Sequence, residues 1–325
     1  MSGGFIPYHL RPGKAVDRKL FIESLQIMSR HFLMKKYTYI GFGGPFLEDF
    51  KQIHSELYVE KMISLEEDES VIERQRKNLP FGCIDCKNQT AEDFIDSFSI
   101  ESNVIFWLDY ASSKKIGAQL QEFRQLLSKL QEGDVVKITL NANIDTLGSH
   151  SEKSRQELKR ARLQCLKSKL NDYLAFDISE EQLTSKNYPK ILLDAVIKAA
   201  YLALQGKNVS FCPIVACTYQ DTHRMVTVSG VLVSSEEKSC LLSDRVFGMW
   251  PFLYDKNDSI LDVRVPVLSL KERLEIDATM PSDDAAAVQS QLGFLFDSSE
   301  EKSLNMIESY LKFYRQYPHF SRIVI

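Results

Sequence analysis

The stretch that decides the fold is Tyr37–Pro45, with the sequence YTYIGFGGP. Its first half is aromatic, apolar and β-branched, which is typical of a buried strand. Glycines follow, and apolar residues then recur at helix spacing from Phe46 to Leu57. Strand, glycine turn and helix in this order open the nucleotide site of a doubly wound sheet, because a backbone without Cβ atoms lets a ligand approach closely. The stretch therefore predicts an α/β fold with a nucleotide-type ligand at the turn.

The alternation of strand and helix patterns continues as far as Asn141. Four more strand-like runs follow the first: Lys61–Leu65, Gly82–Lys87, Asn103–Leu108 and Val135–Asn141. Repeated strand–helix units favour a parallel sheet with right-handed crossovers. Two later runs, Val209–Thr218 and Met225–Val233, are joined by a short connection and should pair antiparallel. We therefore predict a Rossmann-like, mostly parallel, seven-stranded sheet with a terminal antiparallel hairpin.

The pattern also divides the chain. Residues 1–36 read as an N-terminal helical lead-in, and residues 37–235 as the main domain. Within that domain, mainly helical sequence at about 145–205 is an insertion. Residues 236–325 form a mainly helical C-terminal extension, whose apolar and aromatic helix face suits core packing or a homodimer contact.

The composition of the chain favours some classes of protein over others. The chain has 325 residues, a net charge of -4, 44% hydrophobic and 26% charged residues, which is ordinary for a soluble globular protein. Mild acidity argues against a non-specific grip on nucleic acid, although it leaves room for a local basic patch. No apolar run approaches the roughly 20 residues of a membrane span. Six cysteines without a secretory signal indicate reduced thiols and a cytoplasmic protein.

Three features of the predicted sheet should meet at one edge. The glycine turn follows the first strand, Glu66 follows the second, and Asp109 follows the fourth. The carboxyl ends of parallel strands lie at the same edge, and ligands of open α/β sheets bind there. A carboxylate at Glu66 suits the two hydroxyls of a ribose.

These features resemble the class I S-adenosylmethionine-dependent methyltransferases, over about Tyr37–Val233. The resemblance implies S-adenosylmethionine as cofactor, with its methionine end at the glycine turn and its ribose at the acid after the second strand. It places the adenine at the turn after the third strand and the methyl group near the end of the fourth. Gly41, Phe42, Gly43 and Gly44 stand at the glycine turn, and Glu66 is the acid after the second strand. Thr90 and Ala91 stand at the turn after the third strand, and Asp109 and Tyr110 at the end of the fourth.

A closer resemblance is to a group of bacterial proteins described as O-methyltransferases. It lies in Arg11-Pro12 with Lys14 and Arg18, in Tyr39–Gly43 and in Phe106–Tyr110. The chain departs from the wider superfamily at Tyr39, where an acid is common, and near Pro45, where a third glycine is common. The resemblance implies a methyltransferase, and our hypothesis for its reaction is methylation of an oxygen of a small molecule.

Methyl transfer from a sulfonium is an in-line displacement, so the protein supplies alignment and electrostatics. Asp109 is the candidate that orients an acceptor hydroxyl or takes its proton. Tyr110 is the candidate that lies against the positive sulfonium.

Four further side chains are candidates for binding the substrate. Arg11, Lys14 and Arg18 form a basic cluster with Lys19. This cluster is interpreted either as solvated helix charge or as an anion-binding lip beside the glycine turn. His54, on the first helix after that turn, reads either as a packed or capping histidine or as a residue that faces the cleft.

Several alternatives stay open. A scaffold that binds the cofactor or a nucleotide without turnover has the same motifs. An NAD-dependent oxidoreductase is less well supported, because Phe46 stands where the third glycine is expected. A nucleic-acid methyltransferase is not excluded, although the Asn/Asp-Pro-Pro-Tyr/Phe motif is missing after the fourth strand. Cys83 and Cys86 have metal-like spacing without a second close pair, so no metal site is predicted.

Overall fold

Runs of β-branched and aromatic residues form the strands, and amphipathic segments form the helices between them. The computed structural model describes residues 11–149, 154–175, 177–220, 222–257 and 260–318. The strands in these ranges are β1 (Thr38–Gly41), β2 (Lys61–Glu66), β3 (Ile84–Asn88), β4 (Val104–Asp109), β5 (Val135–Asn141), β6 (Ser210–Gln220), β7 (Arg224–Val233) and β8 (Leu261–Val263).

All eight strands belong to one sheet, in the order β3-β2-β1-β4-β5-β7-β6-β8. Strands β1 to β5 pair in parallel, and β7 is antiparallel to both β5 and β6. The predicted sheet and its antiparallel hairpin are confirmed. The sequence did not predict β8, which has three residues and pairs in parallel with β6.

Twelve helices connect or cover these strands within the described residues. They are α1 (Pro12–Met28), α2 (Glu48–Leu57), α3 (Glu69–Lys77), α4 (Ala91–Asp96), α5 (Ile116–Lys129), α6 (Arg155–Leu170), α7 (Tyr188–Ala203), α8 (Ser235–Ser243), α9 (Arg245–Gly248), α10 (Leu270–Asp277), α11 (Ala285–Leu292) and α12 (Glu300–Phe313). None of them is long and apolar enough to cross a membrane.

The two faces of the sheet bury different helices. On one face, Tyr39 and Trp107 belong to a core shared with α1, α2 and α12. On the other, Ile40 and Phe106 belong to a core shared with α4, α5 and α7. Neighbouring residues of a strand point to opposite faces, which explains why consecutive residues of β1 and β4 enter different cores. Helix α1 therefore covers the sheet beside the glycine turn.

Local sequence explains where two of the helices begin. Helix α1 begins at Pro12, because proline is accommodated in the first turn, where the backbone N–H has no helical partner. Helix α6 begins at Arg155, where Ser154 and Glu157 form a capping box.

Candidate functional site

Strand register brings the predicted site residues to one edge of the sheet. Gly41, the last residue of β1, pairs with Ser64 on one side and with Trp107 on the other. Glu66 and Asp109 each follow those partners by two residues and end β2 and β4. The glycine turn therefore lies at this edge with a carboxylate on each side.

The glycine turn is packed tightly against β2. The Gly43 N–H donates to Ser64 Oγ at 3.2 Å, and Ser64 Oγ donates to Gln75 Oε1 on α3 at 3.0 Å. A Cβ atom on Gly43 would lie 2.3 Å from a methyl carbon of Leu47 and 2.7 Å from Ser64 Oγ. Gly44 adopts a φ of 51°, in the left-handed region that favours glycine. Both glycines are thus required by the shape of the turn itself.

Glu66 offers a carboxylate beside this turn. Its Oε1 accepts from the Asp68 N–H at 3.0 Å. Burial raises the pKa of Glu66. Two oxygens at the end of β2 suit the two hydroxyls of a ribose, so the donor and acceptor chemistry fits the expected cofactor.

The turn after β3 is tied to the end of β2. The Gln89 N–H donates to the Glu66 carbonyl at 3.1 Å. Thr90 is the N-cap of α4: its Oγ1 accepts from the Asp93 N–H at 3.1 Å and donates to Asp93 Oδ2 at 2.6 Å. Ala91 is the first residue of α4 and is half-buried. The residues predicted to bind adenine therefore lie beside Glu66.

Asp109 forms an ion pair with Lys14, with Oδ2 and Nζ 2.7 Å apart. The Asp109 side chain is 17% exposed and that of Lys14 is 9% exposed. Burial acts to raise the pKa of Asp109, but Lys14, with smaller effects from Lys137 and Arg18, outweighs burial and lowers it. Asp109 is therefore a carboxylate at neutral pH.

The Tyr110 hydroxyl forms its hydrogen bond with a residue of α5. It donates to Glu122 Oε2 on α5 at 2.5 Å, and the ring packs edge-on against Phe42 with centroids 5.8 Å apart. Burial, followed by the neighbouring Glu122, raises the pKa of Tyr110 well above its usual range. The hydroxyl therefore stays protonated, and the ring is the part of Tyr110 that suits the predicted contact with a sulfonium.

The basic cluster at the start of α1 is buried. Arg11, Lys14 and Arg18 are 7%, 8% and 2% exposed, so solvated helix charge is the wrong interpretation for these three residues. Arg18 lies close enough to Asp49 of α2 to lower its pKa, against the larger upward effect of burial. The structure therefore brings the cluster to the edge where β4 ends.

Tyr39, which stands where the superfamily often has an acid, is itself paired with one. Its hydroxyl donates to Asp49 Oδ2 at 2.5 Å, and Asp49 is 4% exposed. A carboxylate thus reaches this position from α2 instead of from β1. Nothing in the spacing of the sequence points to Asp49.

His54 is not brought to this edge. It lies near the end of α2, where its Nδ1 is 2.8 Å from the Val59 carbonyl and its ring packs against Phe81 at 4.3 Å. Because a carbonyl can only accept, Nδ1 carries the proton. The packed-histidine interpretation fits this environment, and the interpretation that His54 faces the cleft does not.

Sequence reasoning missed Ser64, Gln75 and Glu122, which hold the glycine turn and Tyr110 in place. One signal was available: Ser64 is a hydroxyl residue in the middle of an otherwise apolar strand, and buried polar groups need partners. Gln75 and Glu122 lie on helices whose exposed faces also carry polar residues, so their sequence positions do not distinguish them.

Comparison with known proteins identifies one family. The family described as "Putative O-methyltransferase" matches residues 6–325. No curated protein matches the sequence.

Three solved structures illustrate the similarity. Trm1 from Pyrococcus horikoshii, solved with S-adenosyl-L-methionine, has 12% identity and a TM-score of 0.47, over 91% of this chain and 76% of that one. The plantazolicin methyltransferase BamL has 12% identity and a TM-score of 0.36, over 69% and 87%. The N-methyltransferase NodS from Bradyrhizobium japonicum has 9% identity and a TM-score of 0.35, over 67% and 97%. Similarity at this level carries no information on the methyl acceptor.

Proposed function

Because the chain belongs to the family described as "Putative O-methyltransferase", we propose that it methylates a hydroxyl oxygen of a small anionic molecule. The protein is a methyltransferase, and S-adenosylmethionine is its methyl donor. The acceptor and the roles of individual residues are the proposal. The observation that carries it is the Asp109–Lys14 pair at the end of β4, beside the glycine turn.

The edge of the sheet is the proposed cofactor site. Gly41, Phe42, Gly43 and Gly44 would line the methionine end, Glu66 would accept hydrogen bonds from the ribose hydroxyls, and Thr90 with Ala91 would border the adenine. Once bound, the cofactor supplies an electrophilic methyl group on a positive sulfur. The Tyr110 ring, held by Phe42 and Glu122, provides an aromatic surface that suits a cation.

Asp109 is the proposed acceptor of the substrate proton. Its lowered pKa makes it a weak base but keeps it ionised, so it can accept a hydrogen bond from an acceptor hydroxyl and orient the oxygen. The oxygen becomes strongly acidic as its new bond to carbon forms, and a weak base is then enough. The proton passes from that oxygen to the Asp109 carboxylate.

Lys14 has two proposed effects. It holds Asp109 in its charged form, and together with Arg11 and Arg18 it places positive charge beside the site. Buried cations at a binding edge favour a carboxylate or phosphate on the ligand. An anionic group on the acceptor is therefore the proposed determinant of substrate choice.

Turnover of labelled S-adenosylmethionine with a cell extract that contains both small molecules and nucleic acid tests the proposal. We expect labelled products that bind an anion exchanger and carry the label as the methyl ether of a former hydroxyl. Asp109→Asn should lower turnover at least about a hundredfold, the scale of general acid–base contributions. The matched control is Asp85→Asn, an exposed aspartate on β3. Label found only in nitrogen-linked products or in nucleic acid, or equal turnover by both variants, would refute the proposal.

A further inference from the structure

Three side chains with metal-binding atoms converge outside the methyltransferase site. They are His31, in the turn after α1, and Glu237 and Cys240 of α8. One ligand atom from each lies within 4.8 Å of the other two. Among the described residues this is the only such group of three. We propose that this cluster is a binding site for a divalent transition-metal ion, with Zn²⁺ as the fitting ion.

The secondary structure explains how the ligands meet. Glu237 and Cys240 are three residues apart on α8, which places them on the same face of the helix. The Ser234 hydroxyl caps α8 by accepting from the Glu237 N–H, so the helix start is fixed. The backbone N–H of His31 donates to the Met28 carbonyl at 2.9 Å, which holds the histidine just beyond the end of α1. Both segments are therefore anchored before any ion binds.

Asp244 orients the histidine for this role. Its Oδ1 caps α9 by accepting from the Val246 and Phe247 N–H groups, and its Oδ2 lies 3.3 Å from His31 Nε2. The Nε2–H of His31 donates to this carboxylate, so the lone pair available to a metal is on Nδ1. His31 Nδ1 is 3.9 Å from Glu237 Oε1. A carboxylate that holds the second nitrogen of a metal-binding histidine is a recurrent feature of zinc sites.

The ligand set suits zinc in chemistry and in charge. Imidazole nitrogen, thiolate sulfur and carboxylate oxygen are the three ligand types that Zn²⁺ uses, and two anionic ligands balance its charge. At metal–ligand distances of about 2.0–2.3 Å, the ligand atoms of a tetrahedral zinc lie roughly 3.3–3.6 Å apart. The present separations require only small side-chain movements. Cys240 is exposed, so water can complete the coordination. When the metal–sulfur bond forms, the thiol proton passes to the solvent.

Bound zinc would join two distant parts of the chain. It would tie the end of α1 to α8, and the start of α1 carries Lys14, the partner of Asp109. A metal that binds only the folded state raises its stability by mass action. We therefore expect zinc to raise the thermal midpoint of the full-length protein by about 2–5 °C.

Calorimetric titration of chelator-treated, reduced, full-length protein with ZnCl₂ tests this site. We expect one zinc per chain, with a binding enthalpy that depends on the buffer because one proton is released. Cobalt in place of zinc should give a thiolate-to-metal absorption band. Cys240→Ser and His31→Ala should abolish that band and weaken zinc binding at least about tenfold, and Asp244→Asn should weaken it roughly tenfold to a hundredfold.

Two matched control variants test whether the ion binds at this cluster. Glu236→Gln changes the exposed neighbour of Glu237 on the same helix, and Cys83→Ser changes the thiol that lies 3.7 Å from His54. Both should bind zinc as the wild type does. Because Cys240 is exposed, its replacement should not impair folding, and the thermal midpoint without metal checks this. Absence of stoichiometric binding, or binding that survives Cys240→Ser but not Cys83→Ser, would overturn the proposal.

Discussion

Lys14 and Asp109 form an ion pair in which each charge needs the other. Both side chains are mostly buried, and an uncompensated buried charge is costly. Because the pKa of Asp109 is lowered, the unfolded state holds the Asp109 proton more tightly than the folded state does. The folding stability therefore depends on pH through this residue. The pair therefore stabilises the fold fully above the ordinary pKa of an aspartate, about 3.9.

This pair predicts a specific acid response. Its stabilising effect should be lost as the pH falls through the lowered pKa of Asp109. Asp109→Asn should lack this part of the acid dependence and should lose about 1–3 kcal/mol at pH 7, where Lys14 is left without its carboxylate. Urea unfolding from pH 7 down to the acid limit of the wild type measures both effects. An acid response of Asp109→Asn equal to that of the wild type would contradict the assignment; Asp85→Asn is the exposed control.

Gly43 carries a second prediction at the scale of one residue. A methyl group there would collide with Leu47 and Ser64, so Gly43→Ala should cost about 1–3 kcal/mol of folding free energy. Gly82 is the matched control, because a Cβ atom on it would meet nothing within 4 Å. Gly82→Ala should change stability by no more than about 0.5 kcal/mol. Thermal unfolding of both variants checks the comparison, and equal midpoints would refute tight packing at the turn.

Helix α1 is held on the sheet by charges along one face. Lys14 pairs with Asp109 of β4, and Asp17 pairs with Lys137 of β5 at 2.8 Å, with both side chains of the second pair at most 2% exposed. Lys137 also lies 4.1 Å from the centre of the Trp107 ring. The helix that carries the basic cluster is thus positioned by specific ion pairs in addition to apolar packing.

The buried pair under α1 predicts non-additive mutant effects. Lys137→Met should cost about 3–5 kcal/mol, because Asp17 is left as a buried charge. Adding Asp17→Asn should recover part of that loss, since the charge that lacked a partner is gone. A double-mutant cycle in urea measures the coupling. Strictly additive losses would show that the two side chains do not stabilise each other.

The core strands were predictable from sequence because apolar, β-branched residues at consecutive positions indicate a buried strand. The bounds of β2, β4 and β5 differ from the predicted ones by at most one residue, since apolar β-branched runs end abruptly at polar turns. β8 was missed because a strand of three residues has no periodicity to recognise. The burial of Arg18 and the zinc-type cluster at His31 escaped detection because both depend on segments brought together only by the fold.

At the scale of the whole molecule, the C-terminal part shares the core of the sheet. Ile307, Tyr310 and Phe313 of α12 belong to the same apolar cluster as Tyr39 and Trp107. Gln316 donates to Glu23 of α1 at 3.0 Å, and β8 extends the sheet beyond β6. These contacts favour one cooperative unit over an independently folding extension.

Cooperativity gives a prediction for Phe313→Ala. Loss of this fully buried ring should cost about 3–5 kcal/mol and should destabilise the sheet together with the C-terminal helices. Trp107 reports on the sheet and Trp250 on the C-terminal part, so variants with a single tryptophan can follow each region. Urea transitions of the two probes should coincide and shift together. Separate transitions, with only the Trp250 signal shifted, would establish an independent C-terminal domain.

The edge formed by the glycine turn, Glu66 and Asp109 is the proposed binding site of S-adenosylmethionine. The most direct test is calorimetric titration with S-adenosylmethionine and, separately, with NAD. We predict binding of S-adenosylmethionine alone, weakened at least about tenfold in Glu66→Ala by the loss of hydrogen bonds to a charged group, and unchanged in Glu73→Ala, an exposed glutamate of α3. Preference for NAD, or equal affinity for S-adenosylmethionine in wild type and Glu66→Ala, would contradict the account.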